Sequence, residues 1–145
     1  LFRSQRMKSD GLSYDAAAMA MVTEARAAGQ RLAGFGHRVH KTDPRTGILF
    51  DLARRGGVAG DGIAFVEALE RAIAAAVKPL PINIDGALAA VLHDMGFHPV
   101  FGRLVFIIGR TAGLTAEVAE ELAREKPMRI RIPVTYDGVP PRSIE

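Results

Sequence analysis

The stretch Gly34-Phe35-Gly36-His37-Arg38-Val39-His40-Lys41-Thr42-Asp43-Pro44-Arg45 lies between two apolar helical patterns and ends in a helix start. Its two glycines let the backbone turn sharply and pass close to a ligand. They deliver a histidine, the side chain suited to proton transfer near neutral pH. Arg31, Arg38, Lys41 and Arg45 surround that histidine with positive charge. Chemistry on a polyanionic substrate fits this arrangement, and so does a surface turn that holds His and Arg by accident. Chemistry alone does not choose between them.

Outward from the loop the chain reads as helices. On the N-terminal side, Ser13 precedes Tyr14, Ala18, Met21, Val22 and Ala25, one apolar helical face with a cap, and Gly29 ends it. On the C-terminal side, Asp43-Pro44 is an N-cap followed by a first-turn proline. Ile48, Leu49 and Leu52 give that helix its apolar side, and Gly56-Gly57 stops it. Asp61 is expected to cap a third helix with Val66, Leu69, Ile73 and Val77 inward, closed by Pro79 and Pro81. Ile84, Leu88, Val91, Leu92 and Met95 repeat the pattern up to Gly96. The segment 101–110 is apolar enough for a buried helix and β-branched enough for a strand. Its glycines and helical neighbours favour helix. Thr115 is expected to cap a separate last helix, with Val118, Ala119 and Leu122 inward and Glu120 pairing with Arg124, ended by Pro127. Residues 128–145 hold three prolines and read as an extended tail, where Ile130, Ile132 and Val134 can form a short edge strand. The fold class is therefore all-α with an extended C-terminal tail.

A chain of 145 residues can bury one core. The apolar fraction of 48% and charged fraction of 24% are those of an ordinary globular protein. No apolar run reaches the roughly 20 residues of a membrane helix, so no membrane partner is expected. With no cysteine there is neither a disulfide nor a thiolate metal site, which fits a cytoplasmic location. The net charge of +3 comes from dispersed arginines, with no tryptophan and two tyrosines, so no nucleic-acid partner is expected. A small polycarboxylate or a nucleotide-bearing substrate accounts for the arginines at least as well. The first residue is Leu1, and the chain reads as the downstream part of something longer, or as a processed protein.

Other residues can carry chemistry. Asp85, in Ile82-Asn83-Ile84-Asp85-Gly86, opens an apolar helix. The helix dipole favours its charge and apolar neighbours disfavour it, a tension that suits a catalytic base and is equally met by a plain helix-start charge. Arg110 follows an apolar run and can grip a carboxylate in a bidentate fork or snorkel to water. Arg129 and Arg131 lie in the tail, facing a ligand, another subunit or solvent. His37 and His40 sit beside Lys41, and His93 and His98 lack clustered carboxylates, so no metal is expected. No P-loop and no Gly-x-Ser-x-Gly elbow occurs.

Taken together, Gly34-Phe35-Gly36-His37-Arg38-Val39 with Asp43-Pro44-Arg45 resembles the active-site loop of the citrate synthase family. Ile82-Asn83-Ile84-Asp85 resembles that family's Asn-Val-Asp element. Ile108-Gly109-Arg110-Thr111-Ala112-Gly113 resembles a third signature, and Ile130-Arg131 falls where a fourth arginine is expected. Within the family, 124–129 and 136–142 look most like citryl-CoA lyases, which are related to the C-terminal module of ATP-citrate lyase. The resemblance implies a helical fold, with 1–97 as a small-domain-like region and 98–145 as the C-terminal part of the large domain. It implies that His37 contacts the oxaloacetate carbonyl, the citrate hydroxyl in reverse, and that Asp85 moves the acetyl-CoA methyl proton. Arg45 and Arg110 would bind substrate carboxylates. Arg131 would reach the neighbouring subunit's site in a homodimer or higher homo-oligomer. Gly34, Gly36, Arg38 and Lys41 would face coenzyme A, whose thioester is a substrate and not a resident cofactor.

Two departures accompany the resemblance. The interval from His37 to Arg45 is one residue shorter than in typical citrate synthases. Nothing in this sequence matches the family's upstream His-Gly-Gly-Ala-type element, whose histidine stabilises the enolate. The expected activity is cleavage of citryl-CoA to acetyl-CoA and oxaloacetate by the parent protein. The alternatives are a citrate or 2-methylcitrate synthase, and a non-catalytic module that binds CoA esters.

Overall fold

A computed structural model describes residues 11–126. Among them it contains the helices α1 (Tyr14–Ala27), α2 (Pro44–Arg55), α3 (Asp61–Ala76), α4 (Ile84–Asp94) and α5 (Val100–Arg124). The described residues are all-α as the sequence implies, and among them one isolated antiparallel bridge joins Phe35 and Ile82. No helix among the described residues is long and apolar enough to cross a membrane. The chain divides into two compact units, Leu1–Arg110 and Thr111–Glu145, and α5 continues from the first into the second. The expected tail, with Ile130, Arg131, Ile132 and Val134, lies outside the described residues.

The first unit is organised around α3, which is buried on two sides. Phe65, Ala68, Leu69, Ala72 and Ile73 pack against Ala17, Ala18 and Val22 of α1. Ile63 and Val66 pack with Phe50 and Ala53 of α2 and with Ala87, Ala90 and Val91 of α4. Each large side chain buried here contributes about 1.5–3 kcal/mol. Small residues at the crossings of α1 and α4 let the helices approach closely, so this unit is tight despite few aromatics.

Several sequence expectations need correction. In α2 the inward face is Phe50 and Ala53 with Leu49 half-buried, while Ile48 and Leu52 are exposed. The phase is set at the helix start, where the Thr46 hydroxyl donates to Ile82 O at 3.1 Å. That bond turns the face of residues 46, 49, 50 and 53 inward. Val66, Leu69 and Ile73 of α3 are buried as expected, but Val77 is 53% exposed. The helix ends at Ala76 and Val77 leaves it with φ −129 and ψ −75.

Asp61 does not cap α3. Gly60 occupies the N-cap and has no side chain to offer, so a carboxylate from another helix does the work. Asp94, at the end of α4, accepts from Gly60 N at 2.9 Å, Gly62 N at 2.6 Å and Ile63 N at 3.1 Å. Asp61 instead accepts from the Tyr14 hydroxyl, joining α3 to α1.

The expected break at Thr115 is also absent. One helix of 25 residues runs from Val100 to Arg124, and Thr115 donates its hydroxyl back to Thr111 O at 2.8 Å. A threonine inside a helix can satisfy its hydroxyl this way without starting a new one. Glu120 and Arg124 pair as expected. No α5 residue is buried: Gly102, Val105 and Phe106 are half-buried, while Ile108 and Leu122 are both 72% exposed, so the expected buried segment 101–110 and the inward Val118 and Leu122 are not found among the described residues.

Candidate active site

The loop 34–37 is held on the start of α4 by backbone pairing. Gly36 N donates to Pro81 O at 2.7 Å and Asn83 N donates to Gly34 O at 3.0 Å. The Asn83 side chain adds a third tie, donating from Nδ2 to Gly36 O at 2.8 Å. Its Oδ1 meanwhile accepts from Asp85 N at 3.0 Å and Gly86 N at 3.3 Å, capping α4. One asparagine therefore closes a helix and anchors the histidine loop. The approach demands glycine on both sides. Gly34 has φ +94, and a Cβ there would lie 2.9 Å from Gly86 Cα. A Cβ on Gly86 would overlap Gly34 O.

Asp43 is the only buried charged residue among those described, at 2% exposure. Its Oδ1 accepts from Arg45 N at 3.1 Å and Arg45 Nε at 2.9 Å. Its Oδ2 accepts from an Arg45 guanidinium nitrogen at 2.9 Å and from Ile84 N at 2.9 Å. One carboxylate thus spans the first turns of α2 and α4. The Arg45 fork holds its carboxyl well below the usual carboxylate range, against the opposing effect of burial, and the Arg45 and Ile84 amides help. Arg45 is pushed up in turn, first by its bond to Asp43 and then by the charges of Asp43 and Asp85. The Arg45 side chain as a whole is half exposed.

His37 is exposed, and its chemistry is set by its own turn. Nδ1 accepts from Val39 N at 3.1 Å and His40 N at 3.0 Å. A nitrogen that accepts carries no proton, so the ring's proton sits on Nε2 and makes that atom a donor. The His40 ring lies against it with centroids 4.7 Å apart. Gly36, His37, His40, Lys41 and Leu80 line an open pocket of ≈ 470 Å³. A second pocket of ≈ 390 Å³ shares Leu80 and takes in Arg31, Leu32, Phe35 and Lys78.

The structure therefore gathers the segments bearing His37, Arg45 and Asp85, with Gly34 and Gly36, around the start of α4, and Lys41 lines the open pocket beside His37. Arg38 is exposed on the loop. Arg110 lies on α5 with its guanidinium 4.9 Å over the Phe106 ring. Arg131 lies outside the described residues. Sequence reasoning read Asp43 as a cap and as part of the loop motif, and quoted Asn83 as part of a motif without giving it a role of its own. The signal for Asn83 was available, because an asparagine two residues before a helix-start aspartate is a natural N-cap. The reach of Asp43 to Ile84 was not, since 41 residues separate them.

Residues 5–131 match the family described as citrate synthase, C-terminal domain. The chain belongs to the citrate synthase family. Its fold is similar to citryl-CoA lyase from Hydrogenobacter thermophilus, with 36% identity and a TM-score of 0.71, covering 98% of this chain and 56% of that one. It is 32% identical to a citrate synthase of Haloferax volcanii over 130 residues, 87% of this chain and 34% of the relative. It is 29% identical to a 2-methylcitrate synthase of Shewanella oneidensis over 118 residues, 79% of this chain and 31% of the relative. The chain thus spans about a third of these curated relatives and little over half of the lyase. Family members include both lyases and synthases, and the helical fold is common to them.

Proposed function

We propose that this chain supplies the His37, Arg45 and Asp85 part of a citryl-CoA lyase site, cleaving citryl-CoA to acetyl-CoA and oxaloacetate. The observation that carries the reading is the pair of backbone amides, Val39 N and His40 N, that donate to His37 Nδ1. With Nδ1 engaged by two backbone amides, Nε2 is the ring nitrogen left to donate. Carbon–carbon chemistry between a thioester and a ketone needs such a donor, because negative charge develops on the ketone oxygen. In the condensing direction Asp85 would take a proton from the acetyl methyl, the resulting enolate would attack the carbonyl carbon, and His37 would hold the oxygen as it becomes an alkoxide. Cleavage runs these steps backwards: the citryl hydroxyl gives its proton to solvent while His37 holds the oxygen, the carbon–carbon electron pair passes to the thioester enolate as the ketone forms, and Asp85, having taken up a proton from solvent, delivers it to the enolate carbon. Arg45 would hold a substrate carboxylate through the terminal nitrogen that makes no bond to Asp43. Lys41, Arg31 and Lys78 would meet the phosphates of coenzyme A in the two pockets that share Leu80. The similarity to a citryl-CoA lyase over nearly the whole chain supports this direction.

The enolate oxygen needs a partner that this sequence lacks, for it has no His-Gly-Gly-Ala element. In this reading the chain alone binds substrate, and turnover belongs to the complete site, with Arg110 on a second carboxylate and Arg131 reaching a neighbouring subunit of a homodimer. The test is to give the complete protein citryl-CoA and follow oxaloacetate release. Appearance of oxaloacetate and acetyl-CoA is the expected result. Net citrate synthesis from acetyl-CoA and oxaloacetate, with citryl-CoA left uncleaved, would replace the lyase by a synthase. Thioester binding with no turnover in either direction would leave a binding module.

A further inference from the structure

Asp43 has no place in the chemistry above, yet its carboxylate is buried and every described bond it makes leads to the site. It accepts from the Arg45 amide, from two Arg45 side-chain nitrogens and from the amide of Ile84. Ile84 is the first residue of α4, and Asp85 is the next. We propose that Asp43 is a positioning residue, one carboxylate that holds the carboxylate-binding arginine and the helix start bearing the catalytic aspartate in a fixed relation. The inference rests on the lyase reading for what Arg45 and Asp85 do, and on geometry alone for what Asp43 does.

The chemistry explains why an aspartate should stand there. A planar guanidinium has two edges that can form parallel bonds to a carboxylate. Asp43 takes the edge carrying Nε and one terminal nitrogen. The other terminal nitrogen makes no bond to Asp43, and the Arg45 side chain as a whole is half exposed. A long, flexible arginine is thereby ordered before ligand arrives, and binding need not supply that ordering. The same carboxylate satisfies an amide of α4's first turn, so a shift of Arg45 and a shift of Asp85 are mechanically linked. Asn83, which caps the next two amides of that turn, ties in the His37 loop. The arginine, the histidine loop and the aspartate therefore rest on adjacent amides of one helix start.

The experiment is a double-mutant cycle on this chain, with citrate as the probe. Citrate affinity is measured by calorimetry for the wild type, Asp43→Asn, Arg45→Ala and the double variant. Arg45 side-chain order is followed in parallel from its Nε–H resonance. Asparagine keeps the size of the side chain but loses the charge that grips the fork. Asp43→Asn is expected to weaken citrate by about 10- to 100-fold, the range for a hydrogen bond to a charged group. It should do so only when Arg45 is present, and the Nε–H should lose its protection from exchange while the amides of α1 and α3 keep theirs. Equal weakening in the presence and absence of Arg45 would overturn the proposal, since Asp43 would then be acting as a general structural residue. An unchanged Arg45 Nε–H in Asp43→Asn would overturn it as well. Failure of the wild-type chain to bind citrate would count against the functional reading of Arg45, and the Nε–H signal would still decide the role of Asp43.

Discussion

A single atom, Nδ1 of His37, fixes what the histidine can do, because its bonds to Val39 N and His40 N leave Nε2 as the donor. Replacing His37 by Ala removes that donor and leaves two amides without their acceptor. Citryl-CoA turnover by the complete protein is expected to fall by about 10²–10³, the scale of losing one oxyanion donor, in a coupled assay of oxaloacetate release. Gly34 is constrained in a different way. Gly34→Ala places a methyl group 2.9 Å from Gly86 Cα at a φ of +94. It should cost more than about 1 kcal/mol in thermal unfolding and displace the loop from α4. Asp43 gives a pH signature. Its folded carboxyl titrates well below the unfolded one, held down by Arg45. The stabilisation is therefore complete above the unfolded value of about 4 and fades as pH falls below it, because the unfolded state takes up the proton first. Melting temperature should drop as pH is lowered from about 4 towards 2, and Asp43→Asn should flatten that dependence.

Among the elements, α4 carries most of the site, because its first turn receives the His37 loop, Asn83 and Asp43 together. Asn83→Ala should lower stability by about 1–2 kcal/mol in chemical denaturation, more than an isolated cap, because Gly36 O loses its donor at the same time. The elements themselves were legible in the sequence wherever a cap and an apolar period agreed, as at Ser13 and at Asp43-Pro44. The loop motif and the Asn-Ile-Asp element were legible as a pair through their resemblance to the citrate synthase family, since chemistry alone left each of them open. Legibility failed where long-range bonds decided the outcome. The phase of α2 follows from Thr46 meeting Ile82, and the start of α3 from Asp94, and neither partner is near in sequence. At Thr115 a local cap signal was real but weaker than helix continuity, since a threonine hydroxyl can turn back on its own helix. The contacts of Asp43 with α4 belonged to the same hidden class.

At the scale of the molecule, packing is uneven. The unit around α3 buries its apolar faces, while α5 leaves Leu104, Ile107, Ile108, Leu114, Val118 and Leu122 exposed. An apolar face of that extent attracts hydrophobic probes. Ile108→Lys should reduce the binding of a hydrophobic dye to this chain and change stability by less than about 0.5 kcal/mol, as read from dye titration and thermal melts. The Asp94 cap carries a consequence for the history of the chain. The amides that open α3 wait for a carboxylate that lies more than thirty residues further along. As the chain leaves the ribosome, α3 has its apolar residues before it has its cap, and its opening amides rely on water until α4 has been made and has folded back. Asp94 thus acts as a late latch, so its loss should chiefly hasten unfolding and leave the folding rate little changed.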